Sequence, residues 1–394
     1  MEFRLNEEQR AWQMIARKFA EDEIRKISVA RDAIEDPRAT FDWEIIRKGS
    51  ELGLRTLGVP KVWGGPEVDF TTQAVVMAEL ARGDSAIAKT FSQCWKWCHL
   101  IMDRCTPEQQ ERYLKPFIAD HAFVLGGGIT EPNAGSDNRL PPLDAPKTGL
   151  RLSGAGDGDG WRLNGEKCFI ANANIAKLIF VFTRTNPEVA VRQGTTIFAV
   201  QMPHEGVRVG KVFNKDGWRF YQNAELIFEN ARVAQSDMMG KLHGAMSHHG
   251  GKNAKFAELE YSANAVGVCD AAVEMAMRHA RSETRGGRPL ADQQTVQLQL
   301  SEMNMVTEAL RSFMLRVATE SDDEGDEHFA HSHFLMNFAT EAIQRVCNLN
   351  QVIHGYADGR ASAAADKLVR DSIIWTHIAG DAVQKMKAVS FLLK

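Results

Sequence analysis

Residues 128–137 read Gly128-Ile129-Thr130-Glu131-Pro132-Asn133-Ala134-Gly135-Ser136-Asp137 and follow an apolar run, Phe123-Val124-Leu125. This order predicts a strand that ends near Thr130, breaks at Glu131-Pro132 and passes into a small-residue turn. Such a turn gathers backbone N–H groups and the hydroxyls of Thr130 and Ser136 at one point. That suits a ligand rich in carbonyls and phosphates. Taken alone, the same residues fit an ordinary tight loop equally well.

Upstream the chain reads as helical. Trp12, Ile15 and Phe19 recur at helical spacing behind Asn6 and Gln9, a capping-box pattern. Thr106, Pro107 and Gln109 give a second helix start. After residue 126 the character changes. Lys177 to Thr185, Thr195 to Met202 and Ala224 to Phe228 are short β-branched and aromatic runs, and Asn164-Gly165 predicts a hairpin turn. Long Ala-, Leu- and Met-bearing segments over 254–283 and 291–318 predict helices again. The expected class is α+β: an N-terminal helical domain over 1–125, a middle β domain over 126–236 and a C-terminal helical domain over 237–394. Leu140 to Gly160, with three prolines and five glycines, is expected to be a surface loop. Acidic Glu320 to Glu327 is expected to be a solvated interhelix loop.

The 394 residues are 44% hydrophobic and 25% charged, with a net charge of −4, so nothing implies a nucleic-acid partner. No run approaches the roughly 18–20 apolar residues of a membrane span. Met1-Glu2-Phe3-Arg4 opens neither an apolar signal nor an Arg-rich transit peptide. Six cysteines with no Cys-x-x-Cys pair are expected to be reduced and mostly buried, which places the chain in the cytoplasm. Cys94 and Cys98 share one helix face. His328, His331 and His333 lack spaced Cys or carboxylate partners, so no metal site is expected.

Six motifs in order resemble one family. Ile129 to Asp137 (ITEPNAGSD) is similar to the TEPxAGSD signature of the FAD-dependent acyl-CoA dehydrogenases. Leu5 to Ile24 resembles their first helix, Leu52 to Gly65 their ELGL stretch, and Thr106 to Leu114 their TeEQkeryL helix. Trp161 to Ile170 (WRLNGEKCFI), Ala224 to Val233 (AELIFENARV) and Leu368-Val369-Arg370-Asp371 match further segments. The resemblance covers nearly the whole chain. It implies a C-terminal four-helix bundle, a homotetramer, a CoA-thioester substrate and an electron-transfer flavoprotein as redox partner.

The resemblance also assigns site residues. Gly127, Ile129, Thr130, Gly135 and Ser136 would line FAD, with Ser136 also at the substrate. Phe169 and Ala171 stand where the family has a Trp beside the flavin and a Thr hydroxyl at its edge. Arg285, Gln294, His354, Gly355 and Asp381 would serve the rest of FAD, the arginine being displaced from the family's RxxFG position. His243, His248 and His249 lie where the family approaches the substrate. The family reaction removes a proton from the carbon alpha to the thioester, and a hydride leaves the beta carbon for the flavin. A carboxylate does the proton work. The usual base position, eight residues after Asp371, is Ala379, with Gly380 retained beside the substrate. Glu258 stands nine residues before Gly267, where most members have an arginine. It is the candidate alternative base and a substrate contact, with Glu260 second. The expected function is a dehydrogenase with a relocated base or an enoyl-CoA reductase. Two alternatives are a flavin monooxygenase or oxidase of the same fold, and a non-catalytic subunit of a heteromeric dehydrogenase.

Overall fold

The computed structural model describes residues 4–135, 148–246, 251–323, 328–355, 360–378 and 382–393. Helix α1 (Glu7–Phe19) starts in the expected capping box. The Asn6 side chain accepts from Gln9 N at 2.8 Å, and Asn6 N donates to Gln9 Oε1 at 2.9 Å. A π-helical turn, Ala20–Ile24, leads into α2 (Arg25–Asp32), followed by α3 (Trp43–Glu51), α4 (Phe70–Gly83), α5 (Ser85–Arg104) and α6 (Pro107–Ala119). Thr106, Pro107 and Gln109 start α6 as read from the sequence. Helices α4 and α5 are buried along most of their length and form the centre of this helical layer.

The middle of the chain forms β1 (Leu125–Gly128), β2 (Ser153–Asp157), β3 (Gly160–Ala171), β4 (Leu178–Arg184), β5 (Thr195–Gln201), β6 (Val207–Val212), β7 (Asn223–Ala234) and β8 (Met238–Met239). They make one sheet in the order β6-β7-β3-β1-β4-β5-β8, with β2 paired to β3 and β4. Two expectations fail here. Asn164-Gly165 does not turn the chain. β3 runs through it, with a bulge where the register against β7 shifts between Leu163 and Gly165. Gly165 sits at φ +131° against Leu152, so it serves the bulge rather than a turn. The hairpin is instead at Gly158, where Asp157 pairs with Gly160. The expected 140–160 loop therefore contains β2. Its small side chains show no apolar alternation, and the ladder is carried by backbone bonds. Residues 136–147 of that stretch lie outside the described residues.

Four long helices follow: α7 (Lys252–Ser282), α8 (Gln294–Asp322), α9 (His328–His354) and α10 (Arg360–Ile373), then the short α11 (Trp375–Ile378) and α12 (Ala382–Leu392). A two-stranded hairpin, β9 (Thr284–Arg285) and β10 (Arg288–Pro289), joins α7 to α8. The acidic stretch is not wholly loop. Glu320 to Asp322 is the last turn of α8, where Glu320 pairs with Arg316 and His331, and Asp322 accepts from the Phe70 and Thr71 N–H groups. Residues 324–327 lie outside the described residues. No helix among the described residues is long and apolar enough to cross a membrane.

The Arg370-Asp371 pair staples the three regions together. Asp371 Oδ1 accepts from Trp218 N at 2.7 Å, and its Oδ2 meets Lys367 Nζ at 2.6 Å. Lys367 Nζ also reaches Asp84 Oδ2 at 2.9 Å, and Arg370 bridges Asp32 at 2.6 Å and the Asp216 carbonyl at 2.5 Å.

His99 on α5 gives the fold a pH dependence. It is 4% exposed, packs between Phe70 and Phe256, and contacts Gln73 Oε1 at 2.9 Å. Burial, with a smaller contribution from Lys252, pushes its pKa down to about 3. The unfolded chain takes up this proton near pH 6.5, whereas the folded chain does not. Stability from this residue is complete above that pH and falls as pH drops, by about 2 kcal/mol at pH 5. Urea unfolding of His99→Gln at pH 7 and pH 5 is expected to show a smaller pH-dependent loss than the parent by about that amount. An unchanged difference would contradict the assignment.

Candidate functional site

After β1 the chain turns sharply, and Glu131 N and Ala134 N each bond the other residue's carbonyl at 2.9 and 3.1 Å. Cys168 N pins this turn to β3 through the Thr130 carbonyl at 3.0 Å. Lys167 Nζ completes the lock, donating to the Ile129 carbonyl at 3.0 Å and to Glu131 Oε1 at 2.7 Å. Glu131 also accepts from Arg151 N at 2.5 Å and Leu152 N at 3.0 Å. Burial outweighs the attraction of Glu131 and lowers the Lys167 pKa to about 8. Glu131 is thus a structural carboxylate. Ile129, Thr130 and Gly135 are half-buried, and the Thr130 hydroxyl makes no hydrogen bond among the described residues. Gly127 pairs with Ala171 across β1 and β3, and a Cβ there would overlap the Trp97 indole, so packing alone accounts for this glycine. Ser136 lies outside the described residues.

Phe169 occupies a second bulge of β3, between Lys167 and Ile170. Its φ of +54° is costly for an aromatic residue. Asn223 Nδ2 holds its carbonyl at 2.8 Å, and its ring stacks on Phe213 with centroids 4.0 Å apart and planes 19° apart. The residue nevertheless remains 55% exposed. An exposed flat face held in a strained backbone, beside the end of β3 at Ala171, is suited to a planar ligand.

A second cluster lies in the helical bundle. Arg285 on β9 has its Nη2 3.4 Å from where a Gly355 Cβ would stand. His354 stacks on His279 at 4.2 Å, and its Nδ1 contacts the Asn350 carbonyl at 2.9 Å. Burial lowers the pKa of both histidines. Gln294, the first residue of α8, is exposed. Asp381 lies outside the described residues.

The two candidate acids on α7, Glu258 and Glu260, part company. Glu260 is fully buried against α5, with Lys89 Nζ at 2.6 Å, Lys96 Nζ at 3.1 Å and Ser92 Oγ at 3.0 Å. Two lysine side chains and a serine hydroxyl thus tie it into the packing of α7 against α5. Glu258 faces α9 and α12 instead: His333 Nδ1 lies 3.5 Å from its Oε1, and Gln384 Nε2 donates to that oxygen at 3.3 Å. Ala379 and Gly380 lie outside the described residues, in the segment directly before α12. His333 and Gln384 were missed from sequence. His333 was read with His328 and His331 as one group, yet residues two apart on a helix point about 200° apart. His331 pairs with Glu320 and His333 meets Glu258. His243 turns onto the sheet, with its Nδ1 2.9 Å from Thr185 Oγ1, while His248 and His249 lie outside the described residues.

The acyl-CoA dehydrogenase N-terminal, middle and C-terminal domain models match residues 6–121, 126–231 and 256–386. The chain belongs to the acyl-CoA dehydrogenase family. It is 30% identical over 386 residues to a 3-(aryl)acrylate reductase of Clostridium sporogenes, covering 96% of this chain and 97% of that one. It is 26% identical over 392 residues to the caffeyl-CoA reductase-Etf complex subunit CarC of Acetobacterium woodii, covering 99% of both. Butyryl-CoA dehydrogenase from Megasphaera elsdenii has the same fold, with a TM-score of 0.91 at 25% identity over 100% of each chain.

Proposed function

We propose that Glu258 is the proton-transfer group of this acyl-CoA dehydrogenase-type enzyme. The enzyme is an FAD-dependent oxidoreductase acting on the Cα–Cβ bond of an acyl-CoA or enoyl-CoA thioester. One observation supports Glu258 above all. It is a nearly buried carboxylate hydrogen-bonded by Gln384 of α12, the helix that follows Ala379 and Gly380. Alanine at 379 cannot exchange a proton, so Glu258, a carboxylate on α7, is taken as the chemical substitute. Glu258 takes the proton from Cα in oxidation and returns it there in reduction. Gly380 and Ser136 would border the thioester.

The residues present fit FAD. Phe169 and Phe213 offer an aromatic wall, and Thr130, just past β1, is held beside it by the bond from Cys168 N to its carbonyl at 3.0 Å. Arg285, Gln294, His354 and Gly355 would serve the adenine-diphosphate half. When bound, FAD supplies the hydride exchange at Cβ. Ala171 would offer only a methyl to a bound flavin. Phe169→Ala is expected to leave the sheet intact and weaken FAD retention roughly 2- to 10-fold, the scale of one aromatic contact. FAD content after gel filtration measures this, and unchanged retention would remove Phe169 from the site.

The remaining assignments follow the family. Leu298 and Met305, seven apart on α8, and Val352 on α9 are 71%, 66% and 62% exposed, which supports a homotetramer built on this bundle. A monomeric mass by light scattering, with FAD bound, would refute that. An electron-transfer flavoprotein is the proposed redox partner and the cytoplasm the proposed location. The direct test is an anaerobic titration of the purified protein with saturated and unsaturated CoA thioesters. FAD should copurify, a saturated ester should bleach it, or an enoyl ester should restore the colour of the reduced protein. A protein that takes up no FAD, or whose flavin responds to no thioester, would sink the reading.

A further inference from the structure

We propose that His333 and Glu258 work as one proton-transfer pair, His333 being a positioning residue that orients the Glu258 carboxylate and exchanges its proton. The inference rests on the reading of Glu258 above and extends it to a second residue. Three helices each contribute one polar side chain to a single point: Glu258 from α7, His333 from α9 and Gln384 from α12. Their exposures are 8%, 7% and 1%. Imidazole Nδ1 and the Gln384 amide both address Oε1, at 3.5 and 3.3 Å. Burying an ionisable pair among apolar helices rarely improves stability over packed hydrophobic side chains. A fixed structural cation would be met by lysine, as Glu260 is. Histidine differs because it gains and loses its proton near neutral pH.

Among the described residues, several ionisable groups on the surrounding helices have partners of their own. On α7, Lys255 donates to the Ser321 and Asp323 carbonyls, and Glu260 is paired with Lys89 and Lys96. On α8, Glu320 is held by Arg316 and His331, and Asp322 by the start of α4. On α10, Lys367 joins Asp84 and Asp371, and on α12 Lys385 meets Glu341 at 3.5 Å. His333, with its Nδ1 3.5 Å from Glu258 Oε1, is placed to answer the protonation of Glu258.

The pair accounts for a balanced exchange without redox change. The Cα–H bond breaks and an O–H bond forms on Glu258, while the electron pair passes to the thioester oxygen as an enolate. The proton then moves from Glu258 to His333 Nδ1, leaving a carboxylate beside an imidazolium. The reverse steps return a solvent hydron to Cα.

Deuterium incorporation at Cα tests this. The FAD-loaded full chain is incubated anaerobically in D2O with butyryl-CoA or 3-phenylpropionyl-CoA, and the thioester is read by mass spectrometry from pD 5 to 9. A coupled pair titrates as a unit, so the wild-type rate should show two inflections. His333→Gln should lower the rate about 10-fold or more and remove one inflection, with FAD content and melting temperature retained. A variant slowed uniformly with both inflections kept, or a wild-type profile with a single inflection, overturns the pair. The wild-type profile decides if the variant does not fold. Glu258→Gln separates the two readings. If it exchanges at the wild-type rate, the assignment of Glu258 falls and the pair with it. If it is silent while His333→Gln behaves as wild type, only the pair falls. No exchange by the wild type with either thioester overturns both.

Discussion

Replacing Lys167 by methionine is expected to cost the fold about 3–5 kcal/mol, the range for removing one partner of a buried ion pair. The side chains of Lys167 and Glu131 are 0% and 3% exposed. Without the ammonium group, Glu131 keeps two backbone N–H donors but loses its counter-charge in a dry interior. The damage should spread to the Ile129-Thr130 strand end, because Lys167 also holds the Ile129 carbonyl. FAD retention should fall with stability. Adding Glu131→Gln to Lys167→Met removes the stranded charge and should recover part of the loss. Urea unfolding of the parent, the single and the double variant measures both effects. A single variant within about 1 kcal/mol of the parent would show the pair to be dispensable.

What was legible in the sequence divides along physical lines. Helix starts at Asn6 and Thr106 were readable because capping is local: the residues that accept and donate lie three apart. The helix–strand–helix order was readable from apolar period and β-branched runs. Asn164-Gly165 misled because the same dipeptide serves a tight turn and a bulge, and only the pairing of β3 with β7 decides between them. β2 was hidden because Ser153 to Asp157 has almost no side chains to pattern, and its strand exists through its neighbours. In the site, the loop wording led to Thr130 and its turn. The packing role of Gly127 came from Trp97, thirty residues away. Glu258 could be named as an acid in an unusual place, but its partners at 333 and 384 are brought by tertiary packing of three helices. No local pattern carries such contacts.

The second large effect concerns Glu258 itself. With alanine at 379, the proposed carrier of the proton chemistry is Glu258 on α7, which meets His333 of α9 and Gln384 of α12. Glu258→Gln preserves volume and can still accept from Gln384, so folding and FAD content should be retained. A group that only balances charge would be lost at little kinetic cost, whereas an acid–base group contributes roughly 10²–10⁴-fold. Ala379→Glu is the complement. It should raise activity toward simple saturated acyl-CoAs if the missing carboxylate alone limits them, and no gain would point to a site reshaped around Glu258 and Ala171 for another thioester.

The most direct measurement is stopped-flow flavin reduction, under anaerobic conditions, by the thioester that bleaches the wild-type enzyme best. The expected result is a rate constant at least about 100-fold lower in Glu258→Gln than in wild type, at equal FAD content. Equal rates in the two proteins would contradict the assignment of the proton-transfer step to Glu258.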